Sequence, residues 1–472
     1  MKVLFLFATF LSLFAVGIYP CVSQSNDQLV RLTGSAFVEN QSYEFLRELC
    51  DIPGGRLAGT DGNRIAANII QQRLQEMGYA AYKDSFRMPG WQRGPDEVWI
   101  MSPFKKQLEA AALGYVESED PVEGYLEFYE YGYPDDYPDV LTKNTIAMIY
   151  AGRASGKPLL LQQEALQIAA SRGAKALLYI HDEPGNLVRA RTGDFQGNKT
   201  PIPALSISYE QGMWLKGLLN KGKKTRLRII IRSRCIETTA ENVIARLTGD
   251  KREKVVVGAH FDSWDLGQGA IDNGLGTAIL FDVARLLKIV SPKNLYSIEF
   301  VWFNGEELGL FGSKNYLELG NKENIMAMIN LDMTGSPTGF NAMGFDEFVP
   351  LLEDLNERLK GMNLAKGVIS RPWTNSDHMP FMLAGIPVLS LQATLDPEML
   401  SSYHNAADTF DKVNVKYLSE ASAVVSSLVF ILANASNFEF QPKSAEETAK
   451  LLEKFGLDEK LKKQKEWPFS VN

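Results

Sequence analysis

Residues 254–280, KVVVGAHFDSWDLGQGAIDNGLGTAIL, decide the fold of this chain. A run of three valines leads to His260 and Asp262, a pattern that predicts a buried strand ending in polar side chains. A glycine-rich turn follows and carries Asp272, and residues 275–290 then have helical periodicity. Because α/β folds bind ligands at the carboxyl ends of their strands, this stretch predicts a metal site at one edge of a sheet.

The His-x-Asp triplet alone does not establish such a site. His260 is equally compatible with a hydrogen-bonded core histidine and Asp262 with a turn or helix cap, since short motifs match by chance. The next two strand-like runs favour the metal site over the structural interpretation, because they too end near carboxylates. Residues 296–303, YSIEFVWF, stop just before Glu306 and Glu307, and a second apolar run stops at Asp332.

A third apolar segment, residues 386–391, precedes a loop that contains Tyr403 and His404. The chain has four histidines, and three of them lie in these strand ends and loops: His181 is the exception, and His260, His378 and His404 are the three. We expect His181, after a strand-like run, to be structural or on the surface.

Five motifs in this order, HFDSWDLGQGAIDNGLG, FNGEELGLFGS, NLDMTGS, SDHMPF and SYHNAADTF, resemble the M28 family of dinuclear zinc exopeptidases. The resemblance implies two Zn²⁺ ions per chain. It implies that one ion is held by His260 and Asp332 and the other by Glu307 and His404. Asp272 would bridge the two ions.

The same resemblance makes Glu306 the general base and Asp262 the residue that orients the imidazole of His260. The chemistry agrees, because zinc binds imidazole nitrogen and carboxylate oxygen and catalytic sites keep a position for water. Adjacent glutamates at a strand end can diverge, so that one binds metal and the other reaches the water. Taken alone, Glu306 and Glu307 would be an acidic pair at a helix start and Asp332 a turn residue.

Four further residues are weaker candidates for supporting the site or binding substrate. Asp377 and His378 either support the metal ligands or form loop hydrogen bonds to backbone. Arg371 is either a contact for a substrate carboxylate or a surface arginine, and Tyr403 lies next to a predicted ligand.

The first 23 residues predict a secretory signal peptide, with Lys2, an apolar run at residues 3–18 and a cleavage position after Ser23. An uncleaved anchor is the alternative, although the run is near the lower limit for a membrane span. The residues before Cys21 match a lipoprotein signal poorly, which argues against a lipid anchor. We therefore predict a secreted, periplasmic or extracellular protein, and no later segment that is long and apolar enough to span a membrane.

A formal charge of −8 argues against nucleic acid or an anionic membrane as a partner. The predicted partner is a peptide substrate, and a homodimer is left open. Cys50 and Cys235 remain in the mature chain, but their separation in sequence does not show whether they pair.

The predicted fold class is α/β, with a mixed, mostly parallel sheet flanked by helices. Residues 24–115 would open the peptidase domain and residues 236–440 would form its catalytic core. Between them, residues 116–235 contain GAKALLYIHD and IPALSISYEQGMWLKGLL, which resemble a protease-associated domain, and this β-rich insert would be a lid. The Lys- and Glu-rich residues 441–472 predict a solvated amphipathic helix, with a docking helix as the alternative.

The predicted function is a secreted zinc exopeptidase of the aminopeptidase, dipeptidase or glutamate-carboxypeptidase type, acting on dipeptides or short peptides. Two other classes are open. One is a glutaminyl cyclase-like transferase with a single zinc, and the other is a non-catalytic, receptor-like ectodomain of the same architecture. The sequence does not separate amino-terminal from carboxy-terminal specificity.

Overall fold

The computed structural model describes residues 19–436 and 441–470. The predicted signal peptide falls mainly on residues 1–18, which lie outside the described residues. The described part contains thirteen α-helices and sixteen β-strands, arranged around two eight-stranded sheets.

The first sheet forms the centre of the part of the chain that carries the predicted ligands. Its spatial order is β1 (Tyr82–Gln92), β10 (Arg234–Leu247), β12 (Tyr296–Phe303), β11 (Lys251–His260), β13 (Ile325–Asn330), β16 (Val388–Thr394), β14 (Ser336–Asn341) and β15 (Gly367–Ile369). The pairs of β11 with β12 and β13, of β13 with β16, and of β14 with β15 are parallel, and the other three are antiparallel. The prediction of a mixed, mostly parallel sheet is confirmed.

Three neighbouring parallel strands bring the predicted ligands to one edge of this sheet. Strand β11 lies between β12 and β13, and its last residue, His260, is paired with Phe303, the last residue of β12. All residues of β12 and β13 are buried, which explains their continuous apolar sequences. The loops after the three strands therefore leave the sheet side by side.

Helices flank this sheet and complete its core. They are α1 (Tyr19–Val38), α2 (Ser42–Asp51), α3 (Asp61–Glu76), α6 (Leu275–Val290), α7 (Phe311–Tyr316), α8 (Val349–Arg358), α9 (His378–Leu383), α10 (Pro397–Ser401) and α11 (Val415–Ala433). Helices α6 and α11 contact each other and β11. The expectation that no later segment is apolar enough to span a membrane is wrong for α11 by length and composition, but 78% of its most apolar window is buried in this core.

The second sheet has the order β3 (Lys106–Leu108), β2 (Glu97–Ser102), β9 (Arg226–Ile230), β5 (Val122–Phe128), β6 (Thr145–Tyr150), β7 (Ala176–Ile180), β8 (Ala204–Ile207) and β4 (Ala110–Ala112). Helices α4 (Gln162–Ser171) and α5 (Tyr209–Asn220) accompany it. The predicted boundary at residue 116 is too late for this sheet, because β2, β3 and β4 precede it. Strands β2 and β4 are short and pair with β9 and β8, about 100 or more positions away, and β3 joins the sheet only through β2, so no local pattern shows that they belong to this sheet.

The C-terminal tail, residues 441–470, does not form the solvated helix that its composition predicts. It contains α12 (Ala445–Lys454) and α13 (Asp458–Lys463), and their Leu452 and Leu461 are completely buried. Lys463 pairs with Glu164 of α4 at 2.9 Å. Glu466 pairs with Lys314 of α7 at 2.6 Å. The tail therefore contacts both helix α4, which accompanies the second sheet, and helix α7, which flanks the first sheet.

Candidate metal centre and substrate cleft

The five predicted ligands converge in two groups. His260, Asp272 and Asp332 form the first group, and Asp272, Glu307 and His404 form the second. Within each group, one potential ligand atom of every residue lies within 4.8 Å of the others. Asp272 belongs to both groups, as a carboxylate that bridges two ions must.

The two oxygens of Asp272 face different histidines. Its Oδ1 is 3.5 Å from Nε2 of His260, and its Oδ2 is 2.9 Å from Nε2 of His404. The outer ligands complete the groups, with Asp332 Oδ1 3.7 Å from Nε2 of His260 and Glu307 Oε2 3.1 Å from Nε2 of His404. Both imidazoles thus present the same ring nitrogen to two carboxylates.

This donor set fits zinc. Each group offers one imidazole nitrogen and two carboxylate oxygens, which leaves a coordination position free in a tetrahedral site. The second oxygen of Glu307, Oε1, is buried and has no hydrogen-bond partner among the described residues. A buried carboxylate oxygen without a donor is costly, and a bound cation would satisfy it.

The pKa values of these groups are shifted because the groups are buried close to one another. Burial alone would lower the pKa of His404, but Glu307 and Asp272 outweigh it and raise the pKa to about 9. Burial raises the pKa of Glu307 to about 7, and the Asp272 charge adds to this effect. For Asp272, burial is outweighed by the two histidines, which hold its pKa below the usual range. Protons thus occupy positions for which a metal ion would compete.

Asp262 is buried behind the ligands, but its carboxylate does not play the predicted role. Its Oδ1 is 3.6 Å from Nδ1 of His260, which is too long for a hydrogen bond. The backbone carbonyl of Asp262 accepts instead, at 3.1 Å. The carboxylate accepts from the backbone N–H groups of Glu306 and Glu307, each at 3.2 Å. Asp262 therefore fixes the peptide that carries both glutamates.

Glu306 lies beside the metal groups without belonging to them. It lines the cleft, and it is absent from both groups of clustered donors. Burial raises the pKa of Glu306 well above its usual value, and the charges of Glu307 and Asp332 act in the same direction. The side chain is therefore available to exchange a proton with a molecule in the cleft.

Asp408 and Arg56 position the loop that carries Asp272, and sequence reasoning missed both. Asp408 accepts from the backbone N–H groups of Ile271 at 2.7 Å and Asp272 at 3.1 Å. The guanidinium of Arg56 is fully buried and donates to the carbonyls of Phe261, Gln268 and Gly269 at 2.7, 2.6 and 2.8 Å. Asp408 lies in the motif SYHNAADTF and Arg56 in the glycine-rich sequence GGRLAGT, and these positions could have indicated a role for both residues.

The weaker candidates have different outcomes. The Nε2–H of His378 donates to the carbonyl of Trp373 at 2.8 Å, which is the loop alternative, and burial lowers the pKa of His378 to about 4. Burial raises the pKa of Asp377 to about 7. Tyr403 stacks on the ring of His404 with centroids 3.7 Å apart and lines the cleft. Arg371 is exposed and is not among the residues that line the cleft, which agrees with the surface alternative for it.

The cleft over the metal groups has a volume of about 500 Å³. Three parts of the chain line it: the part built on the first sheet, the second sheet's segment (residues 97–230) and the tail. The second sheet's segment and the tail contribute Leu159, Leu161, Gln162, Arg189, Arg191, Thr192, Phe195, Lys460, Gln464 and Glu466. The second sheet's segment also contacts the ligand loops directly. Ala190 N–H donates to the carbonyl of His404 at 2.7 Å, and the Thr192 hydroxyl donates to the carbonyl of Glu307 at 2.5 Å.

Comparison with known proteins agrees with this architecture. Residues 242–429, which hold all five clustered donors, match the sequence model of peptidase family M28. Carboxypeptidase Q of Bos taurus is 25% identical over 434 residues, which are 88% of this chain and 90% of that protein. Aminopeptidase YwaD of Bacillus subtilis is 27% identical over 452 residues, 88% of each chain.

Two solved structures share the fold. The crystal structure of a peptidase M28 precursor from Shewanella amazonensis has a TM-score of 0.77 and 24% identity, and the match covers 89% of this chain and 99% of that one. BSAP, a zinc aminopeptidase from Bacillus subtilis, has a TM-score of 0.67 and 22% identity over 86% of this chain and 98% of that one.

The fold and the matched motifs define an enzyme of the peptidase class. More narrowly, residues 242–429 of the chain match peptidase family M28, and the chain is similar over most of its length to a carboxypeptidase and an aminopeptidase.

Proposed function

We propose that this protein is a dinuclear zinc exopeptidase that hydrolyses dipeptides or short peptides. The observation that carries the proposal is the position of Asp272, whose two oxygens each face the Nε2 atom of a different histidine. The names of the relatives, a carboxypeptidase and an aminopeptidase, support hydrolysis at a peptide terminus. The cleft of about 500 Å³ suits a peptide of a few residues.

In this proposal, His260 and Asp332 would hold one ion, Glu307 and His404 would hold the other, and Asp272 would contribute to both sites. Two zinc ions would supply Lewis-acid chemistry that makes a water acidic and stabilises negative charge on the peptide carbonyl oxygen. Glu306 accepts the proton of the attacking water and delivers it to the leaving amine. Asp262 holds the backbone of Glu306 and Glu307 in place by accepting from their N–H groups, and Asp408 does the same for Asp272.

The N-terminal sequence supports export, so we place this activity outside the cell or in the periplasm. The substrate's preferred terminus and whether the chain forms a homodimer are separate questions, which a screen of end-blocked dipeptides and a sedimentation measurement would address.

The decisive experiment combines metal content with one substitution. We expect two zinc ions per chain by elemental analysis and dipeptide hydrolysis that a chelator abolishes. Glu306→Gln is expected to keep both ions and lose about 10²- to 10⁴-fold in kcat, the usual contribution of a general base. Asp332→Asn is the matched comparison, and it is expected to lose metal as well as activity.

Full activity of the Glu306→Gln variant would refute the proposed mechanism. A single zinc together with intramolecular amine transfer would favour the glutaminyl cyclase alternative. Tight zinc binding without hydrolysis of any peptide would favour the receptor-like alternative.

A further inference from the structure

Lys460 of helix α13 brings a positive charge into the substrate cleft from the C-terminal tail. Its side chain is half-buried and lines the same cleft as Glu306 and Asp332. Its Nζ donates to the carbonyl of Thr374 at 3.4 Å, to the Thr374 hydroxyl at 3.5 Å, and to the Asn375 side chain. All of these acceptors are neutral.

No carboxylate oxygen of the described residues lies within ion-pair distance of this ammonium group. The other lysines of α13 are paired: Lys462 with Asp458 at 2.7 Å and Lys463 with Glu164 at 2.9 Å. Burial lowers the pKa of Lys460 to about 8, so the group still carries its charge at neutral pH. A partly desolvated cation without a counter-charge is costly unless an anion binds to it.

Every short peptide with a free C-terminus carries a carboxylate there, whatever its side chains are. Consecutive Cα atoms are about 3.8 Å apart, so the carboxyl terminus of a dipeptide stays close to its scissile bond and inside the same cleft. The metal groups and Glu306 would act on the amide, and a cation further along the cleft would act on the terminus. Lys460 is thus placed where the tail could contact the C-terminus of a bound peptide.

We infer that Lys460 binds the C-terminal carboxylate of the peptide substrate, which makes the tail a specificity-determining part of the active site. This inference rests on the proposed function. It gives the enzyme a preference for dipeptides and tripeptides with a free carboxyl end over the same peptides as amides. A glutamate or aspartate side chain offers the same chemistry and is the second source of such a carboxylate.

Two arginines of the second sheet's segment are the competing cations. Arg189 and Arg191 also line the cleft, but both approach the single carboxylate of Asp182, each at 3.6 Å. The Arg189 guanidinium also lies over the Tyr403 ring, 5.4 Å from its centroid. Their charge is therefore partly compensated within the protein, whereas that of Lys460 is not.

The test compares three substrates: a dipeptide that the wild type cleaves, its C-terminal amide, and the amide with glutamate as the second residue. Lys460→Met is expected to lower kcat/KM for the free acid by about 10- to 100-fold, the range for a lost hydrogen bond to a charged group. Its kcat/KM for the plain amide should not change. Lys460→Arg should keep the preference for the free acid.

Lys462→Met is the matched control, because it removes a neighbouring lysine whose partner lies outside the cleft, and it should behave as the wild type. Loss with the free acid alone assigns Lys460 to the C-terminal carboxylate, and an added loss with the glutamate amide extends its role to acidic side chains. An equal loss on all three substrates would show that Lys460 only holds the tail, and would overturn the inference. So would an Arg189→Gln variant that loses the preference while Lys460→Met keeps it. A wild type that cleaves no peptide would instead refute the proposed function.

Discussion

At the scale of single residues, the site depends on carboxylates with three different tasks. Asp272 faces both histidines, Glu306 stays free of the metal groups, and Asp262 and Asp408 accept only backbone N–H groups at the site. The chemistry of an aspartate or glutamate is the same in each position. Its task is set by which atoms the surrounding backbone directs towards it.

Asp408→Asn is expected to weaken zinc binding by about 10- to 100-fold, the usual effect of removing a group that orients a ligand. An amide can accept only one of the two N–H groups that the carboxylate now accepts, so the peptide of Asp272 would shift. Zinc affinity would be measured by competition with a chelating dye. Asp411→Asn, in an exposed position nearby, serves as the control, and equal affinities for the two variants would contradict this role.

Glu299 is a second residue whose task is set by its surroundings. Its side chain is 4% exposed and pairs with Lys254 at 2.8 Å and Arg246 at 2.6 Å. Burial works to raise the pKa of Glu299, but these charges and the hydroxyl of Tyr316 outweigh it and hold the pKa below 4.5. The charged form is thus favoured by folding, so the pair stabilises the protein above pH 4.5 and less as the pH falls through the folded-state value.

Glu299→Gln should therefore lower the free energy of unfolding by about 3–5 kcal/mol at pH 7, since it leaves the buried ammonium group of Lys254 without its charged partner. The difference from the wild type should shrink as the pH is lowered below 4.5. Urea unfolding at pH 7 and at pH 3.5 would measure it. Glu357→Gln, on the exposed face of α8, should change stability little at either pH, and a constant Glu299→Gln difference would contradict the assignment.

At the scale of elements, helix α6 must begin very close to the end of β13 to bring Asp272 next to Asp332. Gly276 lies in its first turn, and a Cβ there would be 2.1 Å from the Leu331 carbonyl oxygen and 2.5 Å from the side chain of Asn273. The Asn273 amide itself donates to that carbonyl at 2.8 Å. Only a residue without a side chain allows this contact.

Gly276→Ala is accordingly expected to destabilise the protein by about 1–3 kcal/mol or more, the usual cost of overpacking, and to weaken zinc binding. Gly217 in helix α5 is the matched comparison, because a Cβ there meets no atom within 4 Å. Gly217→Ala should stabilise the protein by about 0.4–1 kcal/mol by restricting the unfolded chain. Urea unfolding of both variants tests the pair, and equal effects would show that the contact at Gly276 is not limiting.

At the scale of the whole molecule, residues from distant parts of the chain enclose one acidic centre. The second sheet's segment bonds to the carbonyls of Glu307 and His404, and the tail pairs with both α4 and α7. The buried carboxylates of the centre repel one another without a cation, so zinc binding should stabilise the entire fold.

Zinc at about 1,000 times its dissociation constant should add about 4 kcal/mol to the free energy of unfolding. For a chain of this size, each kcal/mol corresponds to about 2–4 °C or less in Tm. Calorimetry with zinc and with a chelator would measure the shift. Asp272→Ala, which removes the shared ligand, should abolish it, whereas an unchanged wild-type Tm would contradict the metal centre.

The sequence by itself determined the central strands, the helix after them and the five clustered donors. A strand shows its apolar run and a helix its periodicity, and His260 and Asp332 stand at or just after the end of a strand. The full set of five donors, with Asp272 and His404 in loops, came from the resemblance of the motifs to the M28 family. Parallel strands then bring their carboxyl ends to the same edge, so local patterns were sufficient to predict a shared pocket.

Only the tertiary structure decided that strands before residue 116 join the second sheet, that the tail is docked, and what Arg56, Asp262, Asp408 and Lys460 contact. Arg56 reaches carbonyls more than 200 positions away, and Lys460 reaches Thr374, 86 positions away. Such contacts leave no periodic trace in either segment, because their free energy comes from burial and from hydrogen bonds that exist only once the segments have packed together.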